Sequence, residues 1–435
     1  MANLKNKLSQ NDTAWEILFD RHSILDNVQK KGFFEISANL IKTVREPRLM
    51  TKFDNQSNLP KIFSKNHLSI LPITRGSYII GAFETFHNFN TAADSVPIIP
   101  LDFPRPLESL NYHDISSEAT AINCAYVSTI LSHFSCEENL LPTVSGRMSS
   151  SIFNFNIRQK RSATALNIQV NNSQLEIDGG YEGDNSLILI EAKNYISDDF
   201  LIRQLYYPYR LWQSKIRKRV RPVFLTYTNG IFDLREYQFS SINDYNSLVL
   251  IDHKRYTIQD SSITFNMELL QKILISEILN YPEPPGIPFP QANSFPRVIN
   301  LCELIHERGS LSKEDITMNY DFDSRQSDYY ANAACYLGLI SRHEDMKYYL
   351  TLLGTQVFNQ SLGLRQIEFA KLILRGTVFK QVLQEWLKTG YQPDTARIVE
   401  IIKNSINSIG SDDTFKRRAS TVRSWTKWII DELEA

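Results

Sequence analysis

Asp178, Glu191 and Lys193 fall inside one stretch, QLEIDGGYEGDNSLILIEAK, at positions 174–193. Two carboxylates held at one spot repel each other unless a cation sits between them, and hard oxygen ligands with water select Mg²⁺, with Mn²⁺ as a substitute. A charged lysine cannot be a ligand. It can orient or deprotonate an attacking water and stabilise negative charge developing on phosphorus. Whether the three meet depends on the backbone. Alternating apolar runs from Gln174 to Tyr181 and from Ser186 to Ala192, separated by Glu182, Gly183, Asp184 and Asn185, predict a β-hairpin. Side chains alternate faces along a strand, so Glu191 and Lys193 point one way and Ala192 the other, and a matched register brings Asp178 beside them. The run from Leu187 to Ile190 suits a buried central strand, at whose mouth charges are unusual unless paired or functional.

Acid, spacer, then acid-x-lysine on a hairpin resembles the PD-(D/E)XK nuclease superfamily, although Ile177 stands where the motif has its proline. The resemblance implies an α/β fold whose core is a mixed central sheet flanked by helices. It also implies two further site residues. A helix is predicted from Ser117 onward, capped by Ser116 or Ser117, with Glu118 in its first turn. In proteins of this class a glutamate on that helix faces the metal, so Glu118 is a candidate third ligand, though the helix dipole alone also favours an acid there. Gln204 follows the hairpin on a predicted helix interrupted or kinked at Pro208. A glutamine there recurs in RecB-type nucleases with a tyrosine four residues later; here Pro208 takes that place, with tyrosines at 206, 207 and 209.

The rest of the chain must position these residues and any substrate. Residues 1–104 read as an α+β region, 105–280 as the nuclease-like core, 281–296 as an extended Pro-rich linker and 297–435 as a mostly helical winged helix-turn-helix region. In the last, helices near 297–308, 312–316 and 328–337 precede two short strands, and the third helix would turn Arg325, Gln326, Tyr329 and Asn332 toward bases or phosphates. Such modules also serve in dimerisation. Further cations suit phosphate contact: Arg45, Arg48 and Lys52; Arg147 and Arg158; Arg417 and Arg418. Between Phe200 and Phe232 seven Lys or Arg, among them Arg203, Lys215 and Lys218, occur without an acid.

With 42% hydrophobic and 22% charged residues the chain is of ordinary globular composition, and a net charge of -1 excludes indiscriminate coating of nucleic acid. No stretch approaches a membrane span and the N-terminus lacks a secretory pattern, which places the expectation in the cytoplasm. Cys124, Cys136, Cys302 and Cys335 have neither zinc-site nor disulfide-framework spacing. No P-loop motif is present, so an ATP-driven motor is not expected. A nuclease core with reading helices and no motor resembles a type II restriction endonuclease. That implies double-stranded DNA as substrate, a homodimer to cut both strands of a palindrome, and a cognate DNA methyltransferase protecting the host. The alternatives are a repair or mobile-element nuclease with the same core, or an inactive DNA-binding regulator.

Overall fold

The computed structural model describes residues 9–89, 96–104, 107–160, 162–258, 265–275, 283–322, 324–406 and 411–434. The N-terminal region holds α1 (Gln10–Arg21), α2 (Ile24–Lys31), β1 (Phe33–Ser37), α3 (Ala38–Lys42), α4 (Pro47–Thr51), a 3₁₀ turn (Gln56–Asn58), α5 (Lys61–Asn66), β2 (Ser69–Pro72) and β3 (Ser77–Gly81). Ser9 and Asp12 cap α1 reciprocally, each side chain accepting the other's N–H at 3.0 Å. α1 and α2 are separate helices because Ser23 turns left-handed at φ 46°. Trp15, Phe19 and Phe63 meet edge to face beneath the β1-β3-β2 sheet.

The middle region carries β4 (Phe86–Asn88), β5 (Ile98–Leu101), α6 (Glu118–Val127), α7 (Ile130–Ser135), β6 (Leu141–Ser149), β7 (Ile152–Gln159), β8 (Ser162–Asn171), β9 (Gln174–Glu182) and β10 (Ser186–Lys193). It continues with β11 (Asp199–Leu201), α8 (Arg203–Gln213), β12 (Arg219–Thr228), β13 (Ile231–Phe239), β14 (Leu248–Ile258) and α9 (Met267–Ile275). The fold is mixed α/β around a seven-stranded sheet in the order β5-β14-β13-β12-β10-β9-β6. In this sheet, among the described residues, β10 with β12 and β14 with β5 are the parallel pairs. Every residue of β10 is buried, as its apolar run requires of a strand covered on both faces. Ile188, Ile190 and Ala192 pack toward α6 and α7, while Leu187 and Leu189 pack toward α8 and the β7–β8 ribbon. The helix predicted from Ser117 onward breaks between α6 and α7, where Ser128 Oγ donates to the Cys124 carbonyl at 2.7 Å and Thr129 turns left-handed. By contrast α8 runs through Pro208 without interruption.

The C-terminal region is mostly helical: α10 (Phe295–Arg308), β15 (Leu311–Ser312), α11 (Lys313–Asn319), α12 (Ser324–Tyr336), β16 (Ile340–Arg342), β17 (Lys347–Leu350), α13 (Leu352–Phe358), α14 (Leu362–Leu374), α15 (Thr377–Thr389), α16 (Thr395–Ser405) and α17 (Asp412–Glu434). β17 lies between β15 and β16 in a small antiparallel sheet. Of the Pro-rich segment, Tyr281 and Pro282 lie outside the described residues. The remainder, up to α10, has no helix or strand, yet it is no free spacer. Phe289 stacks on Phe379, and the Trp425 indole N–H donates to the Ala292 carbonyl at 2.8 Å, so this segment is packed into the C-terminal core. Among the described residues no helix is long and apolar enough to cross a membrane.

The three regions converge on the segment that leaves β10. From the N-terminal side, the Asn55 side chain donates to the Asp199 carbonyl at 2.5 Å and the Gln56 N–H to the Asp199 carboxylate at 2.9 Å. From the C-terminal side, Asn300 receives the Ile196 N–H at 3.0 Å and donates to the Asn194 carbonyl at 2.9 Å. Burial pushes the Asp199 carboxyl up to about 6, against the Gln56 N–H that favours its charge. An acid whose folded pKa is raised contributes stability that is complete below its unfolded pKa and lost as pH rises through the folded value. Thermal midpoints across pH 4 to 8 should therefore show Asp199→Asn gaining on the wild type as pH rises, by roughly 1–3 kcal/mol at the top of the range. Parallel curves for the two proteins would show that Asp199 does not carry this dependence.

Candidate active site

β9 and β10 pair antiparallel from Glu182 opposite Leu187 to Gly179 opposite Ile190, and the ladder ends there. One residue further, a carboxylate takes over from the backbone, for Asp178 Oδ2 accepts the Ala192 N–H at 2.8 Å. The strands splay where the acids lie. Close packing behind the splay depends on Gly180, where a Cβ would stand 2.7 Å from Val144 Cβ and 2.9 Å from its carbonyl oxygen.

Glu191 and Lys193 share one face of β10 and are both buried. Lys193 Nζ donates to Glu191 Oε1 at 2.6 Å and lies 3.9 Å from Glu118 Oε1. Glu118 arrives as the first residue of α6, whose start is fixed by Ser117 Oγ accepting the Thr120 N–H at 3.1 Å. Gln204 arrives from the first turn of α8 and donates through Nε2 to Glu191 Oε1 at 2.5 Å. The fold thus brings Asp178, Glu191, Lys193, Glu118 and Gln204 to one place.

Burial dominates the electrostatics. It raises Glu191 and Glu118 above the ordinary glutamate range; Lys193 pulls each back and the Asp178 charge raises each further. Burial alone would lower Lys193, but Glu191 and Glu118 hold it well above the usual lysine value, so it stays an ammonium. The sequence reading missed one acid here. Asp54 adds its charge to Glu118, Glu191 and Lys193, and its Oδ1 is buried without a hydrogen-bond partner. It is held there by the segment's backbone, where the Leu201 N–H donates to the Asp54 carbonyl at 3.0 Å, and by Tyr195 OH donating to Asn55 at 3.0 Å. Only tertiary contact puts it there; residues 45–54 read locally as Arg45, Arg48 and Lys52 with few acids. Lys52, 3.7 Å from Asp54, and Arg308 at the end of α10 bring positive charge toward Glu118 from the two flanking regions.

The donor chemistry suits a hard divalent cation: oxygens only, mutually repelling carboxylates, and an additional Gln204 Oε1 buried without a partner. Among the described residues no three acidic, imidazole or thiol side chains converge as a ligand set, and the Lys193 ammonium supplies the positive charge between Glu191 and Glu118.

The other predicted residues do not share this spot. Arg45 is half-buried and donates to Asn11 at 2.9 Å, whereas Arg48 is exposed on α4. Arg147 pairs with Glu176 at 3.3 Å, and Lys218 with Glu182 at 2.8 Å. Arg158 is exposed on β7, Lys215 is exposed beside the Trp212 ring, and Arg203 is half-buried against Tyr207. On α12, Arg325 and Gln326 are exposed while Tyr329 and Asn332 are half-buried, and Arg325 donates to Tyr329 OH at 3.1 Å. Arg417 is exposed on α17; its neighbour Arg418 is buried between the Phe289 and Phe415 rings, because it falls on the packed face of that helix.

No curated protein and no solved structure matches the chain. Three family models do match successive parts of it, each described as a domain of unknown function: DUF6996 over residues 12–80, DUF6997 over 81–257 and DUF7226 over 297–434. Asp178, Glu191, Lys193, Glu118 and Gln204 all lie in the second of these, and Asp54 in the first.

Proposed function

We propose that this protein is a Mg²⁺-dependent endonuclease of the PD-(D/E)XK kind, cutting double-stranded DNA as a type II restriction enzyme does. The observation that carries the reading is the meeting of Asp178, Glu191, Glu118, Lys193 and Gln204 at the splayed end of a buried strand. A surface hairpin with incidental charges would leave them in water. Asp178 and Glu191 would hold Mg²⁺ or Mn²⁺, with Glu118, which stands across the Lys193 ammonium and not in a preformed three-acid set, moving in as the third ligand. Bound there, the ion supplies Lewis acidity toward a phosphate oxygen and makes water a stronger nucleophile at neutral pH. Lys193, kept protonated by its acidic neighbours, orients the attacking water and stabilises charge on the phosphorane-like transition state. Gln204 holds the Glu191 carboxylate in position.

Lys52 and Arg308 suit flanking phosphates, and the exposed Arg48, Arg158, Lys215 and Arg417 suit more distant ones. The succession α10, α11, α12 and β16–β17 supports a winged-helix reading, with Arg325 and Gln326 exposed at the start of the third helix. A homodimer and a partner methyltransferase follow from the restriction reading.

The test is direct. Purified protein incubated with unmethylated bacteriophage-sized duplex DNA and Mg²⁺ should give discrete fragments, abolished by chelation and restored by Mn²⁺. Intact DNA across a wide range of sequences and both metals would sink the reading.

A further inference from the structure

β7 and β8 form a two-stranded ribbon whose two faces differ sharply. On one, Phe153, Phe155, Ile157, Ile168 and Val170 are buried in the core under α8, with Phe155 stacked on Tyr245 at 5.4 Å. On the other, Asn154, Asn156, Arg158, Asn167, Gln169 and Asn171 are all exposed. The register sets Asn154 opposite Gln169 and Asn156 opposite Asn167. The second pair is joined, Asn167 Nδ2 donating to Asn156 Oδ1 at 2.9 Å. The side chains of Asn154, Gln169 and Arg158 have no hydrogen-bond or ion-pair partner among the described residues.

Charge singles out the same element. From Leu141 to Leu175 the sequence has no Asp or Glu, while Arg147, Arg158, Lys160 and Arg161 are cationic. A solvent-facing strand pair normally mixes charges of both signs; this one carries amides and cations and no acid of its own, with Glu84 and Asp244 beside β7.

We infer that the exposed face of the β7–β8 ribbon enters the major groove of duplex DNA and reads adenine through Asn154 and Gln169, with Arg158 on guanine or a phosphate. The inference deepens the nuclease reading and rests on it for the choice of substrate. Asn and Gln amides present a donor and an acceptor side by side, which match adenine N7 and N6 in the major groove, and that groove, about 12 Å wide, admits a two-stranded ribbon. The deep, narrow major groove of A-form RNA does not. The anchored back face holds the amides in place before binding, so little ordering is needed to align them. The ribbon is also near the chemistry. β8 leads through Asn172 and Ser173 into β9, so the chain from Asn171 to Asp178 spans at most about 24 Å, less than one helical turn of B-DNA at about 34 Å.

The full-length protein, without divalent metal, is used to select from a random duplex DNA library, and the selected sequences are also offered as duplex RNA. Expected are a sequence preference containing A·T pairs, poor binding of the RNA form, and a loss of about tenfold to a hundredfold in discrimination at one A·T position in Asn154→Ala and in Gln169→Ala. Asn154→Asp, which keeps the shape but removes the donor, should lose the same position. Unchanged thermal midpoints show that the exposed substitutions leave the fold intact. Preference profiles identical to the wild type, equal binding of duplex RNA, or no enrichment of any duplex would each overturn the inference. The two readings fail separately. Selective binding lost in the ribbon variants, with no Mg²⁺-dependent cutting by the wild type, rejects the nuclease and keeps the ribbon; cutting with an unaltered profile does the reverse.

Discussion

Asp178→Asn and Glu191→Gln are expected to lower DNA cleavage by about a thousandfold or more, while binding of the same duplex stays within a few-fold of wild type. Both substitutions keep side-chain volume and remove charge from the site, so the fold has little reason to change. The amide oxygen placed at position 178 can still accept the Ala192 N–H that Asp178 accepts at 2.8 Å. The amide placed at position 191 remains within reach of Lys193 Nζ, which stands 2.6 Å from Glu191 Oε1 in the wild type, although the attraction weakens. A graded series sharpens the test. Gln204 touches Glu191 and no reacting atom, so Gln204→Ala should cost about tenfold to a hundredfold, the range for residues that orient a ligand. It should also shift the metal concentration needed for half-maximal rate, which a purely structural role would not. Glu118→Gln should fall between the two, since Glu118 is more exposed than Glu191 and stands 3.9 Å from the lysine. Undiminished cutting by either carboxamide variant would remove Asp178 and Glu191 from the chemistry.

The hairpin was legible because two local signals agree: period-two alternation in Gln174–Glu182 and Ser186–Lys193, and a polar connection between them. Faces follow from that period, which places Glu191 and Lys193 together from the sequence alone. The splay at Asp178 could not be read. Alternation predicts a ladder continuing past Gly179; the Asp178 carboxylate instead replaces the backbone acceptor and takes the Ala192 N–H. Asp54 was illegible for a different reason: nothing in its neighbourhood distinguishes it from a surface acid until β11 packs beside it. The ribbon was a missed local signal. Phe153, Phe155 and Ile157 alternate with Asn154, Asn156 and Arg158 as plainly as the hairpin does, but the hydroxyls and arginines around them point first to phosphate contact and hide the period. The Pro-rich segment shows the limit of composition. Pro284, Pro285, Pro288 and Pro290 exclude helix and central strand, as observed, and Pro296 sits in the first turn of α10 where a proline is tolerated, yet none of them says whether Phe289 finds a pocket, and it does, against Phe379.

Asp321→Ala should destabilise the protein by roughly 3–5 kcal/mol, the usual effect of removing one partner from a buried ion pair. Asp321 is where the three regions are tied together. Its Oδ1 accepts from Ser57 Oγ of the N-terminal region at 2.6 Å, and its Oδ2 accepts the Asp198 N–H of the segment after β10 at 2.6 Å. Arg297, nearly buried in the first turn of α10, donates to the Asp321 carbonyl at 2.7 Å and to Asp198 Oδ1 at 2.8 Å, with Asp321 Oδ2 3.6 Å away. Without the Asp321 carboxylate, the buried guanidinium keeps only that of Asp198, whose side chain is 83% exposed and pairs weakly through water. Two donors, Ser57 Oγ and the Asp198 N–H, also lose their acceptor. The outcome should separate burial of charge from loss of packing. Replacing both partners, Arg297→Met with Asp321→Leu, leaves no unpaired buried charge and should recover much of the lost stability. It should not recover activity. The segment from Asn194 to Asp199 follows directly on Lys193, and its position is set by the bonds that Asp321 and Arg297 make to Asp198, so an apolar replacement restores cohesion without restoring that hold. A double variant as unstable as Asp321→Ala would show that these bonds act through geometry that no packing can replace, and one with full cleavage activity would show that the three-region junction stabilises the fold without tuning the site.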